Sequence, residues 1–206
     1  MKVLLINGSP HASGNTATVL DEMKRVFEEE GVEVVLLQVG NQALRGCVGC
    51  RSCLKTGKCA FDDLVNETVP LLAECDGVVV GSPVYYAAPN GTLVSFLDRL
   101  FYSSGTTDKR MKVGASVVVA RRGGLSSAMD QLNKYFSISG MPIASSQYWN
   151  DVHGMRPGEV AEDGEGMQTV RTLARNMVFL MKSIALGKEA YGLPEKETRV
   201  WTNFVR

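Results

Sequence analysis

The chain has 206 residues, 45% of them hydrophobic and 21% charged, with a formal net charge of +0. This composition is typical of a globular protein and indicates neither a basic surface that binds nucleic acid nor a surface that binds membranes. No apolar run is long enough to cross a bilayer, and Lys2 leads directly into a short strand without a secretory signal pattern. We therefore expect a cytoplasmic protein with a single domain over residues 1–206, whose five cysteines are thiols or ligands rather than structural disulfides.

The first predicted strand, Lys2–Asn7, is followed by a small polar loop and by a helix over Asn15–Gly31. The first N–H groups of a helix have no partner within it, and the helix dipole is positive there, so this layout suits an anion. Hydroxyls at Ser9, Ser13 and Thr16 can add donors, whereas the loop has no Lys or Arg and no P-loop ending. The stretch predicts a site for one terminal monophosphate, with an ordinary strand–helix loop as the alternative.

The rest of the chain alternates between apolar strands and amphipathic helices. Further strands are predicted at Glu33–Val39, Gly77–Gly81, Val113–Ala120 and Pro142–Tyr148, and further helices at Asp63–Glu74, Gly91–Tyr102, Leu125–Ser139 and Gly166–Leu186. A cysteine-rich loop insertion at 45–60 and an irregular tail at 188–206 complete the chain. Strands that are apolar on both faces predict an α/β protein with a five-stranded parallel sheet between two helix layers. The flavodoxin-like strand order 2-1-3-4-5 is the candidate for this three-layer sandwich.

In that order the loops after strands 1, 3 and 4 meet at the switch point of the sheet, where ligands bind. The loop Gly81–Gly91 contains Tyr85 and Tyr86 beside two prolines, which suits a planar ring, although packing against the next helix explains the tyrosines equally well. The loop Ala120–Gly124 offers glycine N–H groups and two arginines, which suit nicotinamide phosphates or remain solvated. A bound dinucleotide is not expected, because the first loop lacks G-x-G-x-x-G and strand 2 ends without an acidic residue.

Four of the cysteines, Cys47, Cys50, Cys53 and Cys59, have the spacing C-x2-C-x2-C-x5-C. Thiolates this close along the chain can surround a small metal centre, and the short repeats suit a [4Fe–4S] cluster better than a tetrahedral zinc ion. Free thiols, or a redox disulfide between two of them, are the alternative. Cys75 lies apart and is expected to be a small buried residue.

Several ordered motifs resemble the NADPH-dependent FMN reductase family of the flavodoxin-like superfamily. The segments Gly8–Pro10 and Ser13–Thr16 resemble its first loop, and Gly81–Tyr85 followed by Phe96–Arg99 resembles its second block. The cysteine cluster, followed by Asp62-Asp63, resembles the iron–sulfur flavoprotein branch of the family.

The resemblance implies FMN, with its phosphate on the first loop, its ring against the second and third loops, and a dimer or tetramer in which the flavin lies near a subunit interface. The cofactor-binding residues expected from the loops and the resemblance are Ser9, His11, Ser13, Gly14, Asn15, Thr16, Pro83, Val84, Tyr85, Tyr86, Ala120, Arg121, Gly123 and Gly124. The expected metal ligands are Cys47, Cys50, Cys53 and Cys59.

These features predict an FMN-dependent oxidoreductase that passes electrons from NAD(P)H, or from a reduced carrier such as ferredoxin, to a small acceptor such as a quinone or flavin. The flavin performs the chemistry, so no catalytic side chain is predicted. The alternative is an iron–sulfur flavoprotein that acts as an electron carrier or redox sensor with protein partners. His153 follows the fifth predicted strand and is expected on the surface rather than over the flavin, and Asp98-Arg99 is expected to form an ion pair or an interface contact.

Overall fold

The computed structural model describes residues 1–205 of the chain. Arg206, the last residue of the predicted tail, lies outside the described residues. The strands are β1 (Lys2–Asn7), β2 (Glu33–Gln38), β3 (Gly77–Tyr85), β4 (Ala88–Pro89), β5 (Val113–Ala120) and β6 (Asp151–His153). The helices are α1 (Asn15–Glu29), α2 (Cys53–Thr56), α3 (Leu64–Glu74), α4 (Gly91–Ser103), α5 (Leu125–Ile138) and α6 (Gly164–Tyr191), with a short 3-10 helix at Glu159–Glu162.

Five of the strands form a parallel sheet in the order β2-β1-β3-β5-β6, which confirms the predicted flavodoxin-like topology. Side chains along β1 alternate between two apolar layers, because successive residues of a strand face opposite sides. Val3 and Leu5 pack with α1 and α6, whereas Leu4 and Ile6 pack with α3, α4 and α5. Because β1, β3 and β5 are adjacent and parallel, their carboxyl ends lie side by side at one edge of the sheet.

The prediction of the fifth parallel strand at Pro142–Tyr148 is wrong. Ile143 forms only an isolated bridge to Gly114, and the strand that pairs with β5 is the three-residue β6. After the bridge the chain turns toward α6, where the Ser146 hydroxyl donates to the carbonyl of Thr169. The segment returns to the sheet only at Asn150, whose carbonyl accepts from Val118 N–H.

The sheet also has a sixth strand that the sequence pattern does not indicate, because β4 folds back on the end of β3 as an antiparallel hairpin. Tyr86 and Ala87 form its two-residue turn with φ values of 51° and 61°. Positive φ at both central residues is what a type I′ hairpin turn requires. This turn extends beyond the carboxyl edge of the sheet.

The last helix is longer than predicted at both ends, running over Gly164–Tyr191. It passes through Gly187 and ends at Gly192, which has a φ of 72°. A single glycine within a helix costs only about 1 kcal/mol, so Gly187 is tolerated, whereas the positive φ of Gly192, which glycine adopts without strain, takes the chain out of the helix. None of the helices in residues 1–205 has the length and apolar character that crossing a membrane requires.

Candidate functional site

A cleft of about 450 Å³ opens at the carboxyl ends of β1, β3 and β5. The three loops that were expected to meet do meet here, together with a fourth that follows β6. The cleft is lined by Ser9, His11, Ser13, Gly14, Asn15, Pro83, Val84, Tyr85, Val119, Ala120, Arg121, Gly154, Met155 and Pro157. Four of the predicted cofactor residues, Thr16, Tyr86, Gly123 and Gly124, are outside this lining.

The first loop is fixed by a hydrogen-bond network with the end of β2. Asn7 is buried; its Oδ1 accepts from Ser9 N–H at 2.9 Å, and its Nδ2 donates to Gln38 Oε1 at 2.7 Å. Gln38 in turn donates from Nε2 to the Ser9 carbonyl at 2.6 Å. A Cβ atom on Gly40 would collide with the backbone of Gly8 and Ser9, so the segment just after β2 is in direct backbone contact with the loop. The loop is thus held in place before any ligand arrives.

The start of α1 has the character of an anion site. Its N-cap is Gly14, no side chain caps its N–H groups, and its first turn contains no acidic residue. The Ser9 hydroxyl oxygen accepts from His11 N–H at 3.1 Å, which curls the loop around the helix start. Thr16 is buried in the first turn, so its contribution to the cleft is limited to its backbone.

The loop after β6 is the part of the cleft that the sequence did not predict. Gly158 N–H donates to Asn15 Oδ1 at 2.8 Å, and this bond joins the loop to the start of α1. Gly154, Met155 and Pro157 consequently line the cleft. The segment is polar and acidic, and that pattern is typical of a solvated loop. The only sequence signal for its position was that it follows the last strand of a parallel sheet.

The opposite wall is formed by the end of β3. Pro83 and Val84 are partly buried and Tyr85 is half-exposed, whereas Tyr86 at the hairpin turn is fully exposed. Gly124 is close to the same turn, since a Cβ atom on it would lie 2.7 Å from Ala87 Cα. Gly124 therefore supports the hairpin from the start of α5 rather than lining the cleft.

Arg121 and His153, two charged candidates for the site, lie in different places. Arg121 lines the cleft, and Arg122 beside it is exposed. His153 ends β6 as an exposed residue; its backbone N–H donates to Asp163 Oδ2 at 2.7 Å, and its Nδ1 lies 3.6 Å from the same oxygen. It is outside the cleft lining, so the prediction of a surface position is confirmed.

The four clustered cysteines line a second, small cavity, which we call the cysteine cavity. Its walls are Cys47, Val48, Cys50, Arg51, Cys53, Cys59, Ala60, Phe61, Arg99, Tyr102 and Ser103. In residues 1–205 no three His, Cys, Asp or Glu side chains are arranged to hold a metal ion. Burial, reinforced by the neighbouring thiols, raises the pKa of Cys53. The thiols thus share one cavity without converging on a single point.

Arg99 of α4 is a fully buried cation at the base of this cavity. Its guanidinium donates to Cys59 Sγ from Nε at 3.3 Å and from Nη2 at 3.2 Å. It also binds both carboxylate oxygens of Asp63, at 2.8 Å and 2.9 Å, and lies 5.1 Å from the centre of the Phe61 ring. Burial works to lower the pKa of Arg99, but the bonds to Asp63 and Cys59 outweigh it and keep that pKa above its ordinary value.

The ion pair expected at Asp98-Arg99 is therefore formed by Arg99 with Asp63, while Asp98 accepts a hydrogen bond from the Tyr135 hydroxyl. Cys75 is buried, as expected, and does not line the cysteine cavity; burial raises its pKa to about 11. A thiol with so high a pKa is inert at neutral pH.

The NADPH-dependent FMN reductase family model matches residues 1–155. The chain belongs to this family. An iron–sulfur flavoprotein of Methanocaldococcus jannaschii is 32% identical over 191 residues, which cover 89% of this chain and 99% of that protein. The matched region includes all three loops that were expected to form the cleft.

Solved structures agree with the fold of this FMN reductase family member. RosB, solved with the bound intermediate 8-demethyl-8-formylriboflavin-5'-phosphate, has a TM-score of 0.70 at 15% identity, covering 100% of this chain and 92% of RosB. A flavodoxin from the domain Archaea has a TM-score of 0.59 at 15% identity, covering 88% of this chain and 99% of the flavodoxin. At these identities the likeness shows the flavodoxin-like fold.

Proposed function

We propose that the cleft binds FMN and that the protein transfers electrons from NAD(P)H to a small acceptor such as a quinone or a free flavin. The observation that supports this most directly is the pairing of two surfaces in one cleft. An uncapped helix start with hydroxyls lies on one side, and Pro83, Val84 and Tyr85 lie on the other. A monophosphate attached to a planar ring is the ligand chemistry that fits both.

In this proposal the phosphate lies on Ser9, His11, Ser13 and Asn15, with the first N–H groups of α1 and the backbone of Thr16. The dipole of α1 and the loop N–H groups neutralise it, because the loop itself has no cation. The hydrogen bonds of Asn7 and Gln38 hold these donors in position before FMN binds. Binding therefore loses little conformational entropy in the loop.

The ring then lies against Pro83–Tyr85 of β3 and against Ala120 and Arg121 at the end of β5. When bound, FMN supplies a ring system that accepts a hydride or single electrons. The chain's contribution is to orient that ring and to leave one face open to the nicotinamide. Arg121 on the cleft wall is placed to attract an anionic donor such as NAD(P)H. No side chain is proposed as a general acid or base.

The experiment is steady-state oxidation of NADH and NADPH by FMN-reconstituted protein with a panel of quinones and flavins. The expected result is turnover that depends on FMN and falls in the apoprotein. A reconstituted flavin that neither NADH nor NADPH reduces under anaerobic conditions would contradict the proposal.

A second candidate is favoured by the cysteine cavity. Four thiols, a buried Arg99 bonded to one of them, and an unpartnered hydroxyl in the wall fit an iron–sulfur cluster. Cys47, Cys50, Cys53 and Cys59 would hold the cluster, which would exchange single electrons with the flavin and with a carrier such as ferredoxin.

This candidate makes the protein an electron carrier or redox sensor. Its test is iron and acid-labile sulfide analysis, with an absorption spectrum, of anaerobically purified protein. We expect about four irons and four sulfides per chain. Iron near zero after anaerobic reconstitution would rule this candidate out and leave the first one standing.

We also propose a homodimer or homotetramer whose interface lies near the cleft. Tyr86 is fully exposed at the hairpin turn, and Tyr148 and Trp149, whose tilted rings have centroids 5.4 Å apart, are more than half exposed just before β6. Aromatic residues are enriched in the cores of protein interfaces. Sedimentation velocity is expected to show an oligomer that a Tyr86→Ser, Trp149→Ser double variant weakens; unchanged sedimentation would contradict this placement.

A further inference from the structure

Two residues on one face of α4 line the cysteine cavity. Arg99 and Ser103 are four positions apart, so their side chains lie on the same side of the helix. Both residues are almost completely buried, at 1% and 3% exposure. The cavity therefore has polar side chains as well as thiols in its walls.

The hydrogen-bonding capacity of Arg99 is already used within the chain. Its Nε and Nη2 donate to Cys59 Sγ, and its Nη1 and Nη2 reach Asp63 and the carbonyls of Arg45 and Phe61. A guanidinium has five N–H donors, and this set of acceptors occupies them. Arg99 thus fixes Cys59 and leaves no donor for anything else in the cavity.

Ser103 is in the opposite situation. Its Oγ is buried and has no hydrogen-bond partner among residues 1–205. The adjacent Ser104, equally buried, donates from Oγ to the Leu100 carbonyl at 2.7 Å and accepts from Lys109 Nζ at 3.2 Å. Of these two neighbouring serines at the end of α4, Ser104 therefore has hydrogen-bond partners, whereas Ser103, which lines the cavity, has none among residues 1–205. Buried hydroxyls without partners are uncommon and call for an explanation.

We propose that the Ser103 hydroxyl is a hydrogen-bond donor to the group held by Cys47, Cys50, Cys53 and Cys59. This inference rests on the proposed iron–sulfur cluster. Thiolate and sulfide sulfurs are acceptors without hydrogens of their own, so they complement a hydroxyl that lacks an acceptor. Ser103 is not a ligand, because the four thiols complete the ligand set without it. Its role is to adjust the reduction potential of the group.

The consequence is a higher reduction potential for the group. One-electron reduction adds a negative charge to the cluster and transfers no atom, so a donor to its sulfurs stabilises the reduced form more than the oxidised form. Removal of the hydroxyl is expected to lower the potential. The cluster would then be harder to reduce by the same carrier.

The test compares Ser103→Ala with Ser104→Ala, which removes the neighbouring hydroxyl without changing the cavity wall. Both variants of the full chain are purified and reconstituted anaerobically, and iron and sulfide are measured first. The cluster potential is then determined by a redox titration followed through the electron paramagnetic resonance signal of the reduced cluster, which separates it from the flavin. A third variant, Ser103→Thr, keeps a hydroxyl at the same position.

We expect wild-type iron content in all variants and about a tenfold fall in the ratio of reduced to oxidised cluster for Ser103→Ala at a fixed potential, equivalent to about 59 mV for a one-electron couple. Ser104→Ala and Ser103→Thr are expected to match the wild type. Loss of iron in Ser103→Ala that Ser103→Thr restores would also support the bond. Equal potentials in wild type and Ser103→Ala, or iron loss in both Ser103 variants beside a wild type that keeps its iron, would overturn the inference but not the proposal that the wild-type protein holds a cluster. A wild-type chain without iron would instead overturn the cluster proposal, and this inference with it.

Discussion

Asn15 at the start of α1 accepts a hydrogen bond through Oδ1 from the backbone N–H of Gly158, at 2.8 Å. These residues are separated by 143 positions in the chain, and their bond fixes the loop after β6 across the first loop. We therefore assign two roles to Asn15, because it fixes the loop after β6 and is also proposed to face the FMN phosphate. The loop that contains Met155 and Pro157 depends on this contact for its position at the cleft.

Replacement of Asn15 by alanine is expected to weaken FMN binding about fivefold, because it removes one neutral hydrogen bond and loosens the loop. Quenching of FMN fluorescence measures the dissociation constant. Asn176→Ala is the matched control, since the Asn176 amide also bonds to a backbone group, the Ser145 carbonyl, far from the cleft. Equal affinities of the two variants would contradict the role given to Asn15.

Ser13→Asp is expected to weaken FMN binding by more than about tenfold, because it places a negative charge at a helix start that must accept a phosphate. Riboflavin lacks the phosphate, so its affinity should change little. The same substitution at the exposed Ser137, at the far end of α5, controls for added charge. A parallel loss of FMN and riboflavin affinity in Ser13→Asp would indicate general damage to the cleft rather than a phosphate site.

Arg99→Gln is expected to destabilise the metal-free protein by about 3 kcal/mol, because it removes one partner of a buried ion pair and leaves the Asp63 carboxylate and Cys59 without their donors. Urea unfolding followed by circular dichroism measures the change. Arg110→Gln breaks the more exposed pair with Asp108 and should cost less than about 1 kcal/mol. A loss for Arg99→Gln no larger than that for Arg110→Gln would show that the network does not hold the cysteine loop.

Glu22 on α1 pairs with Arg25 of the same helix and with Arg171 of α6. The hydrogen bonds that it accepts, those from Arg25 foremost, hold its pKa below the ordinary value. A carboxylate with a lowered folded pKa stabilises the protein above its unfolded pKa of about 4.3 and loses that contribution as pH falls through the folded value. The difference in unfolding free energy between wild type and Glu22→Gln should therefore shrink between about pH 5 and about pH 3. Urea unfolding across this range checks it. Glu197→Gln in the exposed tail should show no such trend.

The topology was predictable from the sequence because β1, β3 and β5 are buried on both faces and are made mostly of apolar residues. β6 has one buried residue, Val152, between Asp151 and His153. One apolar residue cannot show the run or alternation that predicts a strand, so the longer segment Pro142–Tyr148 was predicted as the strand instead. Its place beside α6 depends on contacts such as Ser146 with Thr169, which no local pattern encodes.

The cleft was predictable to the same extent, since loops that follow neighbouring parallel strands must meet. The loop from Gly154 to Gly158 was missed because its position depends on one long-range bond to Asn15. Arg99 was predicted to pair, but its acceptors at Asp63 and Cys59 lie 36 and 40 positions away. Such partners become visible only when α4 and the cysteine loop are folded together.

We infer that the cleft is built for a flavin with a terminal phosphate. The decisive measurement is titration calorimetry of the apoprotein with FMN and with riboflavin under identical conditions. We expect FMN to bind at least about tenfold more tightly than riboflavin, with inorganic phosphate competing for the difference. Equal affinities for FMN and riboflavin, or no binding of either, would contradict the claim.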